Sequence, residues 1–293
     1  MMSFISYLIS GLSLGSIYAL IALGYTMVYG IAKMLNFAHG DVIMVGGYVV
    51  FTVMSTMQMP VWVAILASII VCTVMGVTIE KIAYKPLRGA SPLSVLITAI
   101  GVSYLLQNLA LLIFGSSSQN FQSIVSIPPL KLNDQLVISG ETIVTLVVTV
   151  VIMVSLTLFI NKTKRGQAML AVSEDRGAAQ LMGVNVNGTI SLTFAIGSGL
   201  AAVAGMLMCS QYPLLDAYTG QMPGIKAFIA AVFGGIGSIP GAMIGGLLLG
   251  IIENLSKAYI SSQLADVIVF LVLILMLLIK PTGIMGKKIN EKV

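Results

Sequence analysis

The 293 residues are 58% hydrophobic and only 9% charged, with a mean hydropathy of +1.04, which leaves too little polar surface to cover a water-soluble globule. The net charge of +5 comes from a few Lys and Arg residues gathered in short polar gaps, and this pattern argues against a nucleic-acid partner. Cys72 and Cys209 lie in apolar stretches without CxxC or Cys/His spacing, so neither a disulfide nor a metal centre is expected.

In chain order the apolar blocks run at about 4–30, 42–59, 61–79, 92–114, 142–160, 188–210, 225–256 and 264–280. Most have the roughly 18 to 25 residues that a helix needs to cross a bilayer. Transmembrane β-strands would instead show ~10-residue alternating segments. The expected fold is an all-α integral membrane protein: one polytopic helical bundle over 1–293 with about eight membrane segments, including a re-entrant or broken helix pair.

No charge precedes Lys33. The basic start of a cleaved signal peptide is therefore missing, and the first block is expected to remain as a span. The next stretch, Lys33-Met34-Leu35-Asn36-Phe37-Ala38-His39-Gly40-Asp41, holds the only histidine. Two readings fit it. Asn36, Phe37, His39 and Asp41 are candidates for a polar mouth or broken helix on a solute pathway; equally, Asn36 or Asp41 caps a helix while His39 rests at the lipid interface. Ser91-Pro92 is a helix start, and Pro128-Pro129 marks an extended loop.

The polar loop 161–187 contains a short amphipathic helix. Ser173 is placed to cap it, with Glu174 and Asp175 in the first turn. Ala178, Leu181 and Met182 form an apolar patch, and Gly183 ends the helix in a left-handed conformation. A helix of about ten residues with a sticky face suits docking into a soluble partner, or resting on lipid headgroups beside Lys162, Lys164 and Arg165.

Three basic clusters should be cytoplasmic: Lys81, Lys85 and Arg88; Lys162, Lys164, Arg165 and Arg176; and Lys280, Lys287, Lys288 and Lys292. The loops 115–141, with Lys131 against Asp134 and Glu141, and 211–224, with Asp216 alone, should be external. The N-terminus is then outside and 33–41 inside. One full crossing by block 225–256 breaks this alternation. Gly234, Gly235, Gly237, Ser238, Pro240 and Gly241 supply a break that leaves about a dozen apolar residues on either side, too few to span. This is read as a re-entrant hairpin on a solute route, against the plainer reading of a kinked helix.

Small residues at helix-packing spacing (Gly11 and Gly15; Ala201 and Gly205; Gly237, Gly241 and Gly245; Gly246 and Gly250) indicate close helix approach, within the chain or with another. The spans are read as almost free of ionisable groups, which disfavours proton coupling. There is no G-x-x-x-x-G-K-[ST] loop, so any ATP-driven work must come from another subunit.

Four segments in order carry a resemblance: YALIALGYTMVY (18–29), LNFAHGD (35–41), SEDRGAAQLMGV (173–184) and AAVFGGIGSIPGAMIGG (230–246). Over nearly its whole length the chain resembles the permeases of branched-chain amino acid ABC importers, the LivH type. The resemblance implies a non-catalytic subunit of the bacterial plasma (inner) membrane, working beside a LivM-type permease or a second copy of itself. It also implies an extracytoplasmic substrate-binding protein and two cytoplasmic ATPases, with ATP and Mg bound by those ATPases and no cofactor in this chain. Glu174, Ala178, Ala179 and Gly183 fall on the family's E-A-A...G coupling pattern, in a looser E-D-R-G-A-A form, and the ATPase-coupling segment takes in Ser173, Asp175, Arg176, Gly177, Leu181 and Met182 as well. Two other classes stand beside this one. An ion-coupled transporter or channel for a small polar solute would need coupling groups in the membrane, and an intramembrane enzyme would have His39 and Asp41 as its only candidate pair.

Overall fold

The computed structural model describes residues 2–133 and 136–286; Asp134 and the tail lysines Lys287, Lys288 and Lys292 lie outside them. The helices are α1 (Met2–Ala32), α2 (His39–Phe51), α3 (Val61–Ile79), α4 (Pro92–Phe114), α5 (Gly140–Lys162), α6 (Lys164–Glu174), α7 (Arg176–Leu181), α8 (Val186–Gln211), α9 (Gln221–Gly234), α10 (Ile239–Tyr259) and α11 (Ala265–Ile279). A π-helical turn, Thr52–Thr56, prolongs α2, and another, Glu80–Tyr84, prolongs α3. Four short strands, β1 (Gln119–Asn120), β2 (Leu130–Asn133), β3 (Leu136–Ile138) and β4 (Leu214–Leu215), lie in the loops.

The helix ends follow local chemistry. Ser91 accepts a hydrogen bond from the Ser94 N–H, with Pro92 in the first turn of α4. Ser139, Thr163 and Ser238 likewise cap α5, α6 and α10, each satisfying an otherwise orphaned N–H. Among the described residues six helices are long and apolar enough to cross a bilayer, and α11 is a shorter apolar one. Trp62, Ile70, Leu112, Val151 and Leu278 stand exposed on α3, α4, α5 and α11. Large apolar side chains all round the bundle are the surface of a protein solvated by lipid.

At one end β1 pairs antiparallel with β4, Gln119 opposite Leu215, so the two loops expected outside lie together. At the other end Arg88 bonds Asn187 and Arg176 bonds the Ala32 carbonyl, which gathers two of the basic clusters on one face. This segregation of Lys and Arg matches the side expected to be cytoplasmic.

Two halves of the chain repeat each other. α1 ends at Ala32 and α8 at Gln211; α2 starts at His39 and α9 at Gln221; α3 ends at Ile79 and α10 at Tyr259. The spacing is nearly constant, yet α1 runs inward and α8 outward, so the repeat is inverted. The packing exchanges partners across it, α1 against α10 and α8 against α3. Glycines set the first contact: a Cβ on Gly250 would lie 2.2 Å from Gly15 Cα, and one on Gly246 2.4 Å from Ala19 N. In the second, Ala64, Ser68, Cys72 and Gly76 form the buried stripe of α3, and Ser68 and Cys72 donate to the Gly46 and Val42 carbonyls of α2 at 3.0 and 3.6 Å. The small-residue spacings therefore serve contacts inside this chain.

The expected break in block 225–256 is present but asymmetric. Gly235 and Gly237 take φ of +106° and +91° between α9 and α10, a conformation that glycine adopts without penalty. The expectation of two halves too short to span is corrected. The 21 residues of α10 extend about 31 Å at 1.5 Å each, enough to cross. Only the 14 residues of α9 make a half-helix, because the external segment after α8 dips into the bundle before α9 starts.

Candidate functional site

The short helix α2, 13 residues before its π turn, and the half-helix α9 meet inside the bundle by their N-terminal turns. A Cβ on Gly40 would sit 2.6 Å from the Gly220 oxygen, and one on Gly220 only 1.9 Å from the Gly40 oxygen, so the two backbones touch. Each helix start presents the positive end of its dipole. On α2 that end is balanced by Asp41, 2% exposed, which accepts 2.9 Å from Gln107 Nε2 of α4.

The cap and interface reading of the stretch before α2 is corrected. The N-cap of α2 is Ala38, with no side-chain cap bond. Asn36 instead accepts from the Tyr84 hydroxyl at 2.9 Å. His39 is 1% exposed, edge-on to Tyr25 with ring centroids 4.7 Å apart. Its Nε2 has no hydrogen-bond partner among the described residues and abuts Gly24. Phe37 stacks in a tilted geometry on Phe228 of α9. The polar segment is thus enclosed by α1, by α4 and by the π turn carrying Tyr84, with α9 against Phe37 and Gly40.

The second set of expected pathway residues lies at the inner end of α9 and α10. Gly234 closes α9 against Gly241, Ser238 accepts from the Gly241 N–H at 3.2 Å, and Pro240 is exposed in the first turn. The N–H groups of Ile284 and Met285 donate to the Phe233 and Gly234 carbonyls, both at 2.9 Å, so the segment after α11 seals the orphaned end of α9. A cavity of about 10 Å³ between them is lined by Tyr25, Asn36, Phe228 and Ile236 among others; Asn36 is the one expected pathway residue that reaches it. That volume is about one water molecule. A larger cavity of about 320 Å³, lined by Ile65, Ile124, Val144, Val203 and Met206 among others, lies apart from both sets and carries no charged side chain in its lining.

The reading of spans almost free of ionisable groups is also corrected. Lys226 of α9 bonds Glu253 of α10 at 2.8 Å and Asp266 of α11 at 2.6 Å. Glu253, 1% exposed, also accepts from Lys257 at 2.6 Å and from the Tyr18 hydroxyl of α1 at 2.8 Å. Glu80, fully buried, pairs with Arg88 and accepts from Ser191 at 2.6 Å. Lys226 and Glu253 sit in a block whose average hydropathy hides them; two opposite charges within one apolar block was the available signal.

On the cytoplasmic face the expected single helix over 173–184 is two helices. Ser173 lies inside α6, donating to the Leu170 carbonyl at 2.7 Å, and Glu174 is the last residue of α6. The cap is Asp175, whose Oδ1 accepts from the Ala178 N–H at 2.9 Å. Thr163 starts α6 earlier, and burial of Met169 and Val172 carries it to 174. α7 keeps the expected ending, Gly183 at φ +84°. Gly177 and Ala178 are exposed while Ala179 faces the protein. Leu181 and Met182 are 90% and 84% exposed. Arg176 is half-buried; burial first, then the charge of Arg88, lowers its proton affinity, although an arginine stays protonated at any physiological pH.

An inverted repeat of apolar helices, two half-helices meeting inside it and a short apolar helix end projecting from the basic face define a membrane transport permease. The family described as branched-chain amino acid transport system, permease component, matches residues 7–277, and the chain belongs to it. The chain is 46% identical over 307 residues, covering 99% of itself and 98% of the relative, to the high-affinity branched-chain amino acid transport system permease protein LivH of Salmonella typhimurium. It is equally similar, 46% over 315 residues with 99% and 98% covered, to the permease protein BraD of Pseudomonas aeruginosa. A probable branched-chain amino acid transport permease protein LivH of Methanocaldococcus jannaschii is 31% identical over 282 residues, 91% of this chain and 88% of that one.

Proposed function

We propose that this permease forms half of the pathway of an ATP-driven importer for leucine, isoleucine and valine in the bacterial inner membrane. A second permease completes the pathway, an extracytoplasmic protein delivers the amino acid, and two cytoplasmic ATPases hold ATP and Mg and do the work. The chain itself is a single non-catalytic permease domain, with 161–187 as its coupling loop. The observation that carries the reading is the exposure of Leu181 and Met182, 90% and 84%, at the end of a helix on the basic face. Two large apolar side chains left uncovered at a helix end on the basic face are the kind of surface that a docking partner buries. The narrow closed cavity beside Asn36 and Ile236 fits a resting state, from which the half-helices part when the ATPases close.

Leu181→Asp with Met182→Asp tests this directly. In affinity purification of the solubilised complex, the expected result is about tenfold or greater loss of the ATPases per permease, since apolar anchors dominate such contacts. Insertion and the second permease should persist. ATPases retained in undiminished amount would refute the docking role.

A further inference from the structure

We propose that Arg176 is the positioning residue through which the coupling segment moves the half-helix α2. The inference rests on the docking role of α7 given above, and concerns what α7 does on its inner side.

Arg176 is the first residue of α7, and its guanidinium donates to the carbonyl of Ala32, the last residue of α1. That carbonyl belongs to the last turn of a helix and has no intrahelical partner; a cation there is favoured by the dipole. Among the described side chains of 176–181, this is the hydrogen bond that reaches a membrane helix. Ala179 adds a buried apolar contact, whereas Leu181 and Met182 face away. The segment thus has an outer, apolar side and one polar arm directed inward.

The arm ends at a hinge. Lys33, next after Ala32, holds φ of +52°, a left-handed conformation that is disfavoured for a non-glycine residue, so the backbone changes direction there under strain. Three residues on, Asn36 is tied to Tyr84, and Gly40 in the first turn of α2 sits against Gly220, the N-cap of α9, and Gly224. The π turn carrying Tyr84 also carries Glu80, which takes bonds from Arg88 and from Ser191 of α8. A displacement of α7 is therefore delivered by Arg176 to the joint between α1 and α2. The buried Asn36–Tyr84 bond holds the far end of that joint, so the movement turns α2 rather than fraying the loop.

The test uses the complete importer, with both permeases, ATPases and binding protein, in proteoliposomes. Arg176→Ala should keep the ATPases bound and leave the KM for amino-acid uptake unchanged, while the number of amino acids moved per ATP hydrolysed falls about tenfold. Arg176→Lys should recover most of that ratio, because one N–H donor suffices for a carbonyl. A second measurement does not depend on uptake. Spin labels at Lys33→Cys and Gln180→Cys should keep a constant separation through the ATP cycle in the otherwise unchanged chain, and a nucleotide-dependent one once Arg176→Ala is added. An unaltered coupling ratio in Arg176→Ala, loss of the ATPases from that variant, failure of lysine to rescue, or a label separation that already changes with Arg176 present would each overturn the proposal. None of these outcomes depends on Leu181 and Met182, whose variants judge the docking role separately.

Discussion

Gly220→Val should abolish transport and cost the folded permease about 3 kcal/mol, the upper part of the range for overpacking. Gly220 has an ordinary φ of −84°, so space rather than backbone conformation demands glycine. A Cβ there would lie 1.9 Å from the Gly40 oxygen, a backbone atom with no rotamer by which to withdraw. The only relief is to part α2 from α9, which removes the contact that defines the closed route. Gly101→Ala on α4 is the matched control, since nothing lies within 4 Å of its Cβ position. It should leave uptake intact and stabilise the helix slightly, by about 0.5–1 kcal/mol. Unfolding in detergent together with amino-acid uptake reads both. Wild-type transport by Gly220→Val would show that the half-helices do not meet.

Glu253→Leu should destabilise the bundle by about 3–5 kcal/mol, the range for removing one partner of a buried pair. The carboxylate serves Lys226, Lys257 and Tyr18 at once. Its loss leaves the Lys226 ammonium with Asp266, which is 44% exposed, and strands the buried Tyr18 hydroxyl. Adding Lys226→Met should recover more than half of the loss, because replacing both ions by apolar groups removes the desolvation penalty, and Asp266 and Lys257 are open enough to hydrate. Chemical unfolding of the single and double variants forms a cycle that isolates the pair. A cost below about 1 kcal/mol for Glu253→Leu would mark it as a surface-type pair and contradict its burial.

Much of the fold is legible in the residues, because lipid forces each span to be a helix of a definite length. The expected 61–79 and 92–114 coincide with α3 and α4, where Pro60 and Ser91-Pro92 leave no choice of start. Gly235 and Gly237 locate the break, but they do not reveal that α9 begins back at Gln221, since the polar stretch before it looks like any external loop. The repeat is hidden for a related reason. Gly40 and Gly220 match, yet their neighbours His39 and Thr219, or Asp41 and Gln221, do not, because each half packs against a different environment. Burial of Asn36 and Asp41 depends on Tyr84 and on Gln107 of α4, and that of His39 on Tyr25 of α1, partners brought to them only by the fold. On the coupling loop, Ser173 and Asp175 are both good caps, and tertiary burial of Met169 and Val172 decides between them.

The central claim is that this chain is a passive pathway moved by ATPases it does not contain. Uptake of labelled leucine into proteoliposomes, with and without the ATPases, tests it most directly. Uptake should require both ATPases, ATP and the binding protein, with the permeases alone at the level of empty vesicles. Leucine entry through the permeases alone, down its gradient and indifferent to ATP, would contradict it.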